Sequence, residues 1–549
     1  MGSVLSRAKL ILGAVVLINR ALDTLSKRLK TSPGLPVSNP SLPFWTIPKS
    51  TISSEGKDLP QDADIVIIGS GITGTSFAYH ALKRDSSLRV VILEARDVCS
   101  GATGRNGGHI NPPLFDGWKD LKERHGESDA KMLIRFRLAH VQDMKAVATE
   151  EDILKESQIR VTEHLEVHIN REYFEEAREE LEGWKTDMPD EAEAFTAFEE
   201  SQVVENFNLA PGTAGCIWGP GGAMHPYRFV TCLLAKLLDR HSQNFYIATH
   251  TPCISITAPS RANPLYTVET PNGSILAPHI VHATNGWVSH LVEPMREKVV
   301  PVRGTMSAQR PGTSLSPATQ DGLRSFVFHP GGLGYDYLTQ LPSGEHELMF
   351  GGGWASAFDS AFADIGVSDD SSFSFSVASH LAGALPLYFG TGSWGKEKQP
   401  DTSDDDGGIK WGEGRTKAQW GGILGISADG LPWVGRLPRK ISGRAEPPTT
   451  CTPRERSGSS GKTETETSTS DSVDDVVVRD RLRTASPGEW IAAGYTGEGM
   501  VHAWMSGKAL ACMVQDAEDE MKDWFPEMLR VTEDRWKKAN LEEFISRRL

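Results

Sequence analysis

DADIVIIGSGITGTSFAYHALKRDSSLRVVILEARDVCSGATGRNGGHIN, residues 62–111, contains two glycine-rich loops and an acidic residue at a strand end. The run Ile65 to Ile68 is β-branched without interruption, which predicts a strand buried on both faces of a parallel sheet. Gly69, Gly71 and Gly74 follow at G-x-G-x-x-G spacing, and a helix is predicted from about residue 73 to about residue 83. Strand, glycine turn and helix in this order predict a dinucleotide-binding α/β fold.

Each glycine of the first loop has a physical role in such a fold. Gly69 permits the tight turn, Gly71 leaves room between backbone and pyrophosphate, and Gly74 lets the helix pack closely on the strand. The phosphates then lie at the positive N-terminus of the helix. A second strand, residues 89–93, ends at Glu94, whose carboxylate can accept hydrogen bonds from an adenosine ribose. The first loop alone does not separate NAD from FAD.

Length and composition narrow the class of protein. A chain of 549 residues exceeds one compact core and predicts two domains, or two interleaved domains with tails. The net charge of -15 disfavours nucleic acid as a partner, because the field over most of the molecule repels phosphate. The six cysteines are scattered without a C-x-x-C pair, which predicts no metal site, no disulfide framework and an intracellular, cytoplasmic location.

The first 60 residues are predicted to be a leader and a Pro- and Ser-rich linker. Residues 1–31 are basic around an apolar core, Leu10 to Ile18, that is too short to span a bilayer. Signal peptide, interfacial helix and transit peptide all remain open, and so does a plain amphipathic or disordered leader. The sequence MGSVLS also fits the N-myristoylation pattern at Gly2. Peripheral membrane contact through residues 1–30, or organelle targeting, is therefore one prediction for this segment.

The rest of the chain divides by pattern. Residues 112–220 are predicted to be mostly helical, with acidic helix faces at 171–184 and 191–200. A helix capped by His225 is predicted up to Arg240. Alternating apolar and polar residues between 299 and 353 predict an antiparallel sheet and hence a second domain. Residues 396–414 and 439–487 are polar or charged, which predicts surface insertions, the second of them disordered.

Several motifs together resemble the D-amino-acid oxidase-like (DAO) family of FAD-dependent oxidoreductases, from residue 64 to about residue 514. They are GSGITG, SGATGRNGGHIN (100–111), GGAMHPYRFV (221–230), ATNGW (283–287), PVRG (301–304), MFGGG (349–353), WGGILGISADGLPWVGRLP (420–438) and WIAAGYTGEGM (490–500). Within the family the chain is most similar to γ-glutamylputrescine oxidase-like fungal proteins. The second loop and the GYTGEGM turn favour a flavin enzyme over a nicotinamide dehydrogenase, which would share the first loop but needs neither of these two segments.

The resemblance implies an α/β fold, in which a Rossmann-type FAD-binding domain carries an inserted α+β substrate domain built on an antiparallel sheet. The FAD-binding domain is expected from residues 61–160, 221–300 and 420–515. Residues 161–220 and 301–419 are expected to form the substrate domain, and residues 516–549 a C-terminal helical tail.

The resemblance also implies the residues that contact FAD. They are Gly69, Gly71, Ile72, Thr73, Gly74, Glu94, Ala95, Thr103, Arg105, Asn106, Gly107, Gly108, His109, Gly494, Thr496, Gly497, Gly499 and Met500. His109 stands where dimethylglycine and sarcosine dehydrogenases carry a covalently attached histidine. A covalent link and a non-covalent contact both remain open, and non-covalent binding is favoured.

Substrate class depends on a departure from the family pattern. Relatives that act on simple α-amino acids carry an arginine just before the segment matching 429–432, where it clamps the carboxylate. This chain has Leu424 and its neighbours there, which favours an amine-type or larger small-molecule substrate. Arg303 or Arg310 could replace the missing clamp from the sheet. The candidates for catalysis are Arg303, His329 and Tyr337, and Tyr335 is a further pocket candidate.

Two classes of function follow. The first is an FAD-dependent amine oxidase or dehydrogenase that oxidises a C–N bond to an imine, with dioxygen or another acceptor reoxidising the flavin. The second is a membrane-tethered flavin-binding adaptor with little turnover, suggested by the leader and the polar insertion. Neither the oligomeric state nor the substrate follows from the sequence.

Overall fold

The computed structural model describes residues 2–548 apart from 57, 261–262, 316–320, 332–333, 354–362, 401–408 and 449–483. Much of the two predicted insertions therefore lies outside the described residues. The described helices are Gly2–Lys30 (α1), Ile72–Arg84 (α2), Trp118–His125 (α3), Glu127–Glu150 (α4), Leu154–Ser157 (α5), Arg171–Asp187 (α6), Pro189–Ala192 (α7), Glu200–Phe207 (α8), Pro226–Arg240 (α9), Val288–Leu291 (α10), Phe375–Trp394 (α11), Arg439–Ser442 (α12), Ala503–Val514 (α13), Glu533–Lys538 (α14) and Leu541–Arg548 (α15).

The described strands form three sheets. In chain order they are Ile65–Ile68 (β1), Val90–Leu93 (β2), His109–Ile110 (β3), Arg160–His168 (β4), Thr196–Glu199 (β5), Gly215–Ala223 (β6), Phe245–Ala248 (β7), Ser255–Thr257 (β8), Tyr266–Thr270 (β9), Gly273–Ala277 (β10), His279–His282 (β11), Val299–Gln309 (β12), Arg324–His329 (β13), Asp336–Gln340 (β14), Leu348–Gly351 (β15), Thr416–Ser427 (β16), Trp433–Arg436 (β17) and Gly488–Ala493 (β18).

A six-stranded sheet with the order β17-β18-β11-β1-β2-β7 carries the first glycine loop. Strands β7, β2, β1, β11 and β18 run parallel, and β17 joins the edge antiparallel. All four residues of β1 are buried, as the unbroken β-branched run predicts. The α/β class with a Rossmann-type sheet is thus confirmed, and the helix after the first loop begins and ends within one residue of its predicted bounds.

A nine-stranded sheet shares a cavity with the first sheet. Its order is β16-β12-β15-β14-β13-β4-β6-β3, with β5 also paired to β6. Most neighbours are antiparallel, as predicted for 299–353, but β4 and β13 run parallel. The small third sheet, β10-β9-β8, contains an antiparallel hairpin of β9 and β10.

Two sequence predictions need correction here. Residues 112–220 are not mostly helical throughout, because β4 and β6 are long strands of the nine-stranded sheet, and β5 replaces part of the helix predicted at 191–200. The predicted boundaries near 220 and 420 fall inside β6 and β16. Strand β16 pairs with β12 along its length, so residues 416–427 belong to the nine-stranded sheet.

Helix α1 contacts the rest of the protein near its C-terminal end. Leu25 is buried in a cluster with Ile365 and Leu541, and Arg28 Nη1 donates to the carbonyl of Ala363 at 2.5 Å. Nearer the N-terminus of the helix, the side chains of Ile11 and Leu12 are 64% and 66% exposed. Of the helices that the structure describes, none combines the length and the apolar character that crossing a membrane requires.

Candidate functional site

A cavity of about 1920 Å³ lies at the carboxyl ends of the parallel strands and is lined by residues of both large sheets. Ligands of open parallel sheets bind at this edge, where the loops after the strands converge. Pockets for one small ligand usually have volumes of about 300–1,000 Å³, so this cavity has room for an extended cofactor and a substrate together.

The first glycine loop forms a cradle, a tightly packed turn in which side chains in place of the hydrogens of Gly69 and Gly74 would clash with the backbone. Gly69 has φ +107°, and a Cβ there would lie 2.7 Å from the carbonyl oxygen of Ala283. A Cβ at Gly74 would lie 2.1 Å from the carbonyl oxygen of Gly69, so helix and strand could not approach as they do. Gly71 precedes α2 without a side-chain cap, and the first amide of the helix, Ile72 N–H, donates to Thr103 Oγ1 at 3.0 Å. The N-terminus of this helix, with glycine as its N-cap residue, suits a pyrophosphate.

Glu94 is held in place at the end of β2. Its carboxylate accepts hydrogen bonds from Ser70 N–H at 3.1 Å, from Ser70 Oγ at 2.7 Å and from Arg96 N–H at 3.0 Å. An ionised carboxylate has about four acceptor positions, so one remains for a ligand hydroxyl. Glu94 therefore has the position and the remaining capacity that a ribose contact requires.

The second loop is joined to the turn after β18 by Asn106. The Oδ1 atom of Asn106 accepts from Gly108 N–H at 2.8 Å, and its Nδ2 contacts Met500 Sδ at 3.2 Å. Trp45 Nε1 donates to the carbonyl of Asn106 at 2.5 Å. Helix α13, which follows the turn, packs so closely on α2 that a Cβ at Gly507 would lie 2.6 Å from the carbonyl oxygen of Thr73. Three glycine turns far apart in sequence thus meet at one cavity wall.

Arg105 lines the cavity, but its guanidinium is committed to the protein. Its Nε donates to the carbonyl of Ser100 at 2.8 Å, its Nη1 to the carbonyl of Gly421 at 2.7 Å, and its Nε lies 3.3 Å from an Asp370 carboxylate oxygen. Burial lowers the pKa of Arg105 to about 10 even though Asp370 opposes the shift. The side chain fastens the second loop to β16, and only its remaining surface can meet a ligand.

Most of the residues predicted to contact FAD line this cavity. They are Gly69, Gly71, Ile72, Thr73, Glu94, Ala95, Thr103, Arg105, Asn106, Gly107, His109, Thr496, Gly497, Gly499 and Met500. Gly74, Gly108 and Gly494 are not among the lining residues, because each is where backbone or side chains of the protein approach: Gly69, Met224 and Val299 respectively. These three shape the cradle from behind.

His109 lies where the second loop meets the nine-stranded sheet. Its ring is 5.5 Å from that of His164 and nearly parallel to the ring of Tyr337, with 6.3 Å between centroids. Asn111 Nδ2 is a hydrogen-bond partner of His109 Nε2. Burial, with the neighbouring His164, holds the pKa of His109 well below its usual range, so the imidazole is neutral at pH 7. Covalent attachment at His109 stays a prediction.

The wall opposite the glycine loops carries a polar stripe that the sequence analysis missed. His164, Glu166 and His168 alternate along β4 and all line the cavity, as does His329 from the neighbouring strand β13. His164 Nε2 and His329 Nε2 each lie 3.6 Å from a Glu166 carboxylate oxygen. Burial opposes ionisation of Glu166, but the two histidines hold its pKa well below its usual range.

The signal for this stripe is a period of two in RVTEHLEVH, with Leu165 and Val167 packed in the apolar core on the other face. A strand that lies between acidic helices is easily mistaken for part of a helix, because its alternation covers only a few residues. His168 stacks on His329 with 4.7 Å between ring centroids, and burial lowers the pKa of His168 to about 4.

The structure brings two of the three catalytic candidates to the cavity and not the third. Tyr337 and His329 line it. Arg303 does not, because alternation along β12 turns its side chain away, where Nε donates to Asp364 at 2.8 Å and Nη1 donates to Ser372 at 2.8 Å. Arg310 is likewise buried against Glu345. Neither arginine replaces the missing substrate clamp.

A family described as "FAD dependent oxidoreductase" (DAO) matches residues 64–513. The chain belongs to this family. The resemblance inferred from the motifs, the FAD cofactor and the oxidoreductase class are thereby confirmed. The closely packed glycines of the first loop and the position of Glu94 at the end of β2 fit that cofactor.

Curated relatives are similar over part of their length. The anaerobic glycerol-3-phosphate dehydrogenase of Escherichia coli (strain K12) has a polypeptide that is 24% identical over 259 residues, 45% of this chain and 42% of that polypeptide. The γ-glutamylputrescine oxidoreductase of the same strain is 24% identical over 234 residues, 42% of this chain and 51% of that protein. The chain thus spans about half or less of the length of these relatives.

Solved structures share the fold over most of the chain. Glycine oxidase from Geobacillus kaustophilus has a TM-score of 0.58 at 16% identity and covers 86% of this chain and 99% of its own. L-Proline dehydrogenase from P. horikoshii has a TM-score of 0.58 at 15% identity and covers 88% and 100%. At these identities the likeness establishes the fold alone.

Proposed function

We propose that the protein oxidises a C–N bond of an amine or amino-acid-like small molecule to an imine, which water then hydrolyses. FAD, when bound, supplies the hydride acceptor, and dioxygen or another acceptor reoxidises it. The observation that carries this proposal is that the described arginines lining the cavity are each engaged by a carboxylate or carbonyl of the protein itself, so none is left as a substrate clamp.

Among the residues that the structure describes, four arginines line the cavity, namely Arg96, Arg105, Arg124 and Arg137. Arg96 Nη1 lies 2.8 Å from an Asp370 carboxylate oxygen, and Arg137 Nη2 lies 3.1 Å from one of Glu498. Arg105 is fastened as described above, and Arg124 pairs with Asp120 at 3.2 Å. Recognition of a phosphate or an α-carboxylate usually takes a bidentate arginine. The engaged arginines therefore favour an amine over glycerol 3-phosphate or a simple α-amino acid held by such a clamp.

The protein's own residues position the substrate, exclude water and provide uncharged polar groups beside it. The cavity walls hold the substrate near the cofactor and exclude water, which raises the effective concentration of the reacting groups. His109 lines the cavity, and its low pKa keeps the imidazole neutral at pH 7 and makes it a weak base, so it can contact the substrate as an uncharged polar group, and the substrate binds as the free amine. Tyr337 donates to Met306 Sδ at 3.0 Å, and burial raises its pKa, so the phenol stays protonated and neutral.

Anaerobic reduction tests the proposal. Purified protein with FAD is mixed with a panel of primary and secondary amines, simple α-amino acids and glycerol 3-phosphate, and the flavin absorbance is followed without oxygen. We expect bleaching with at least one amine and none with glycerol 3-phosphate. Bleaching with glycerol 3-phosphate alone would overturn the amine proposal. A yellow protein that no compound on the panel reduces would favour the alternative, a flavin-binding adaptor. Peroxide formation in air then separates an oxidase from a dehydrogenase.

We also propose that α1 contacts a membrane surface. Ile11, Leu12, Val16 and Leu22 are exposed hydrophobic residues on a helix whose Leu25 packs in an apolar cluster of the protein. Its last turn carries Lys27 and Lys30 next to Arg28, which is hydrogen-bonded to Ala363, and the two lysines favour anionic lipid. Flotation with vesicles tests this: wild type should float with anionic vesicles, and Ile11→Ser/Leu12→Ser should not. Equal flotation of both would contradict the proposal, and a Gly2→Ala variant tests whether myristoylation contributes.

A further inference from the structure

The stripe of imidazoles and a carboxylate on β4 and β13 has the composition of a metal site. Glu166, His168 and His329 each offer one ligand atom, and the three atoms lie within 4.8 Å of one another. Strand β4 contributes two ligands two residues apart, which face the same side of the sheet. Strand β13 runs parallel to β4 with His329 paired to His168, so the third ligand stands beside the second. The trio is therefore fixed by the register of two paired strands, not by flexible loops.

Burial gives a second, independent observation. His168 is 5% exposed, and within the described part of the chain neither of its ring nitrogens has a hydrogen-bond partner. Nε2 of His329 is also without a hydrogen-bond partner there, although it lies 3.6 Å from the Glu166 carboxylate. Leaving a buried polar group unsatisfied costs about 1–3 kcal/mol, so groups of this kind usually have a ligand. All three side chains line the cavity.

We propose that Glu166, His168 and His329 bind a divalent transition-metal ion such as Zn²⁺. Two imidazole nitrogens and one carboxylate oxygen form a ligand set typical of catalytic zinc and of non-haem iron sites, which keep at least one position open. Ligand–metal distances of about 2.0–2.2 Å require the three ligand atoms, which lie within 4.8 Å of one another, to move closer together on binding. The open position faces the cavity and would take a Lewis-basic group of a substrate, an anchor that no cavity-lining arginine supplies.

His164 belongs to the outer shell of this site. Its Nε2 lies 3.6 Å from Glu166 Oε1, and its Nδ1 interacts with Asn111 Nδ2 at 3.0 Å. Outer partners of this kind orient a ligating carboxylate, and loss of one weakens metal binding by about 10–100-fold. His164 thus connects the metal site to the loop that carries His109.

Metal titration of the full-length, FAD-loaded protein tests the site. The protein is stripped with a chelator, dialysed, and titrated with Zn²⁺ in competition with a chromophoric chelator; Co²⁺ in place of Zn²⁺ reports the ligands through its visible spectrum. We expect one equivalent of Zn²⁺, and a Co²⁺ spectrum of nitrogen and oxygen ligation without thiolate charge-transfer bands. His168→Gln and His329→Gln should each weaken binding by more than about 100-fold, and His164→Gln by about 10–100-fold.

His241→Gln is the matched control, since His241 is the C-cap residue that follows α9 and is not among the cavity-lining residues. It should bind Zn²⁺ as the wild type does. Thermal unfolding and flavin content of each variant show that it is folded, and the more exposed His329 provides a second variant if His168→Gln does not fold. No Zn²⁺ binding by wild type, or unchanged binding by His329→Gln, would overturn the proposal. None of these readouts depends on turnover, so failure of the metal site and failure of the amine-oxidation proposal are distinguishable.

Discussion

Substitution of Gly71 by alanine tests whether the first loop binds the cofactor because Gly71 has no side chain and lets the pyrophosphate approach the backbone. Gly71 has φ −72°, a conformation that alanine adopts without strain. A Cβ there would lie 3.1 Å from Thr103 Oγ1, so the threonine must give way by a few tenths of an ångström, and the methyl group would point into the cradle. Without cofactor we expect the free energy of unfolding to change by less than about 1 kcal/mol.

With cofactor the same methyl group overpacks a filled contact, which costs about 1–3 kcal/mol. At about 1.4 kcal/mol per factor of ten, the Kd for FAD should rise about 5- to 150-fold. The control is Gly101→Ala, because Gly101 also lines the cavity, has φ −80°, and has no atom within 4 Å of a built Cβ. Its Kd should stay within about twofold of wild type, as substitutions away from special features change free energies by less than about 0.5 kcal/mol.

The assay is titration of apoprotein with FAD, followed by quenching of flavin fluorescence, alongside thermal unfolding of each apoprotein. If acid precipitation shows a covalent flavin, the ratio of flavin to protein in purified samples replaces the Kd. An unchanged Kd for Gly71→Ala would refute the assignment of this loop to the pyrophosphate. An equal loss in Gly101→Ala, or a large drop in apoprotein stability, would show that the effect comes from the fold.

Three further predictions concern His109 at the end of the second glycine loop and the buried side chains of Glu489 and His140. Acid precipitation of wild type should leave the pellet colourless, since His109 Nε2 already has Asn111 as a partner; a yellow pellet that His109→Gln abolishes would establish a covalent link. Glu489→Gln should lower the free energy of unfolding by about 3 kcal/mol in urea titration, because it breaks a buried pair with Arg444 at 2.6 Å; a loss below about 1 kcal/mol would contradict this. Burial lowers the pKa of His140 from 6.5 to about 4, so between these pH values the unfolded chain binds a proton that the native protein does not, and the free energy of unfolding decreases as the pH is lowered. His140→Gln should make this pH dependence shallower by about 1.4 kcal/mol per pH unit. Equal pH dependence of the wild type and the variant would contradict this prediction.

The dinucleotide half of the fold was predictable because its signals are local. A buried run, a glycine turn, a helix and a strand-end carboxylate follow one another within residues 62–94, and each has one physical reading. The structure has β1, α2 and β2 within a residue or so of the predicted bounds, with Glu94 directed to the loop.

The substrate wall was less predictable because its residues meet only through sheet pairing. Arg303 was assigned to the cavity on sequence position, but which face of β12 is interior depends on the pairing partners β15 and β16. His164, Glu166 and His168 become a group only when β4 pairs with β13, which lies far along the chain. The charge partners of Arg96 and Arg105 are equally distant, since both reach Asp370.

The six-stranded sheet has a consequence for how the chain is made. Its central strand β1 is near the start of the fold, whereas β18 and the turn after it, which complete the cofactor wall, are near the end. A nascent chain on the ribosome therefore has the glycine loop early but holds an unpaired edge at β11 until residues 488–493 emerge. Such late, long-range pairing slows folding and exposes an aggregation-prone edge. FAD can act as a folding ligand only in the last stage, so its supply should raise the yield of released chains without protecting unfinished ones.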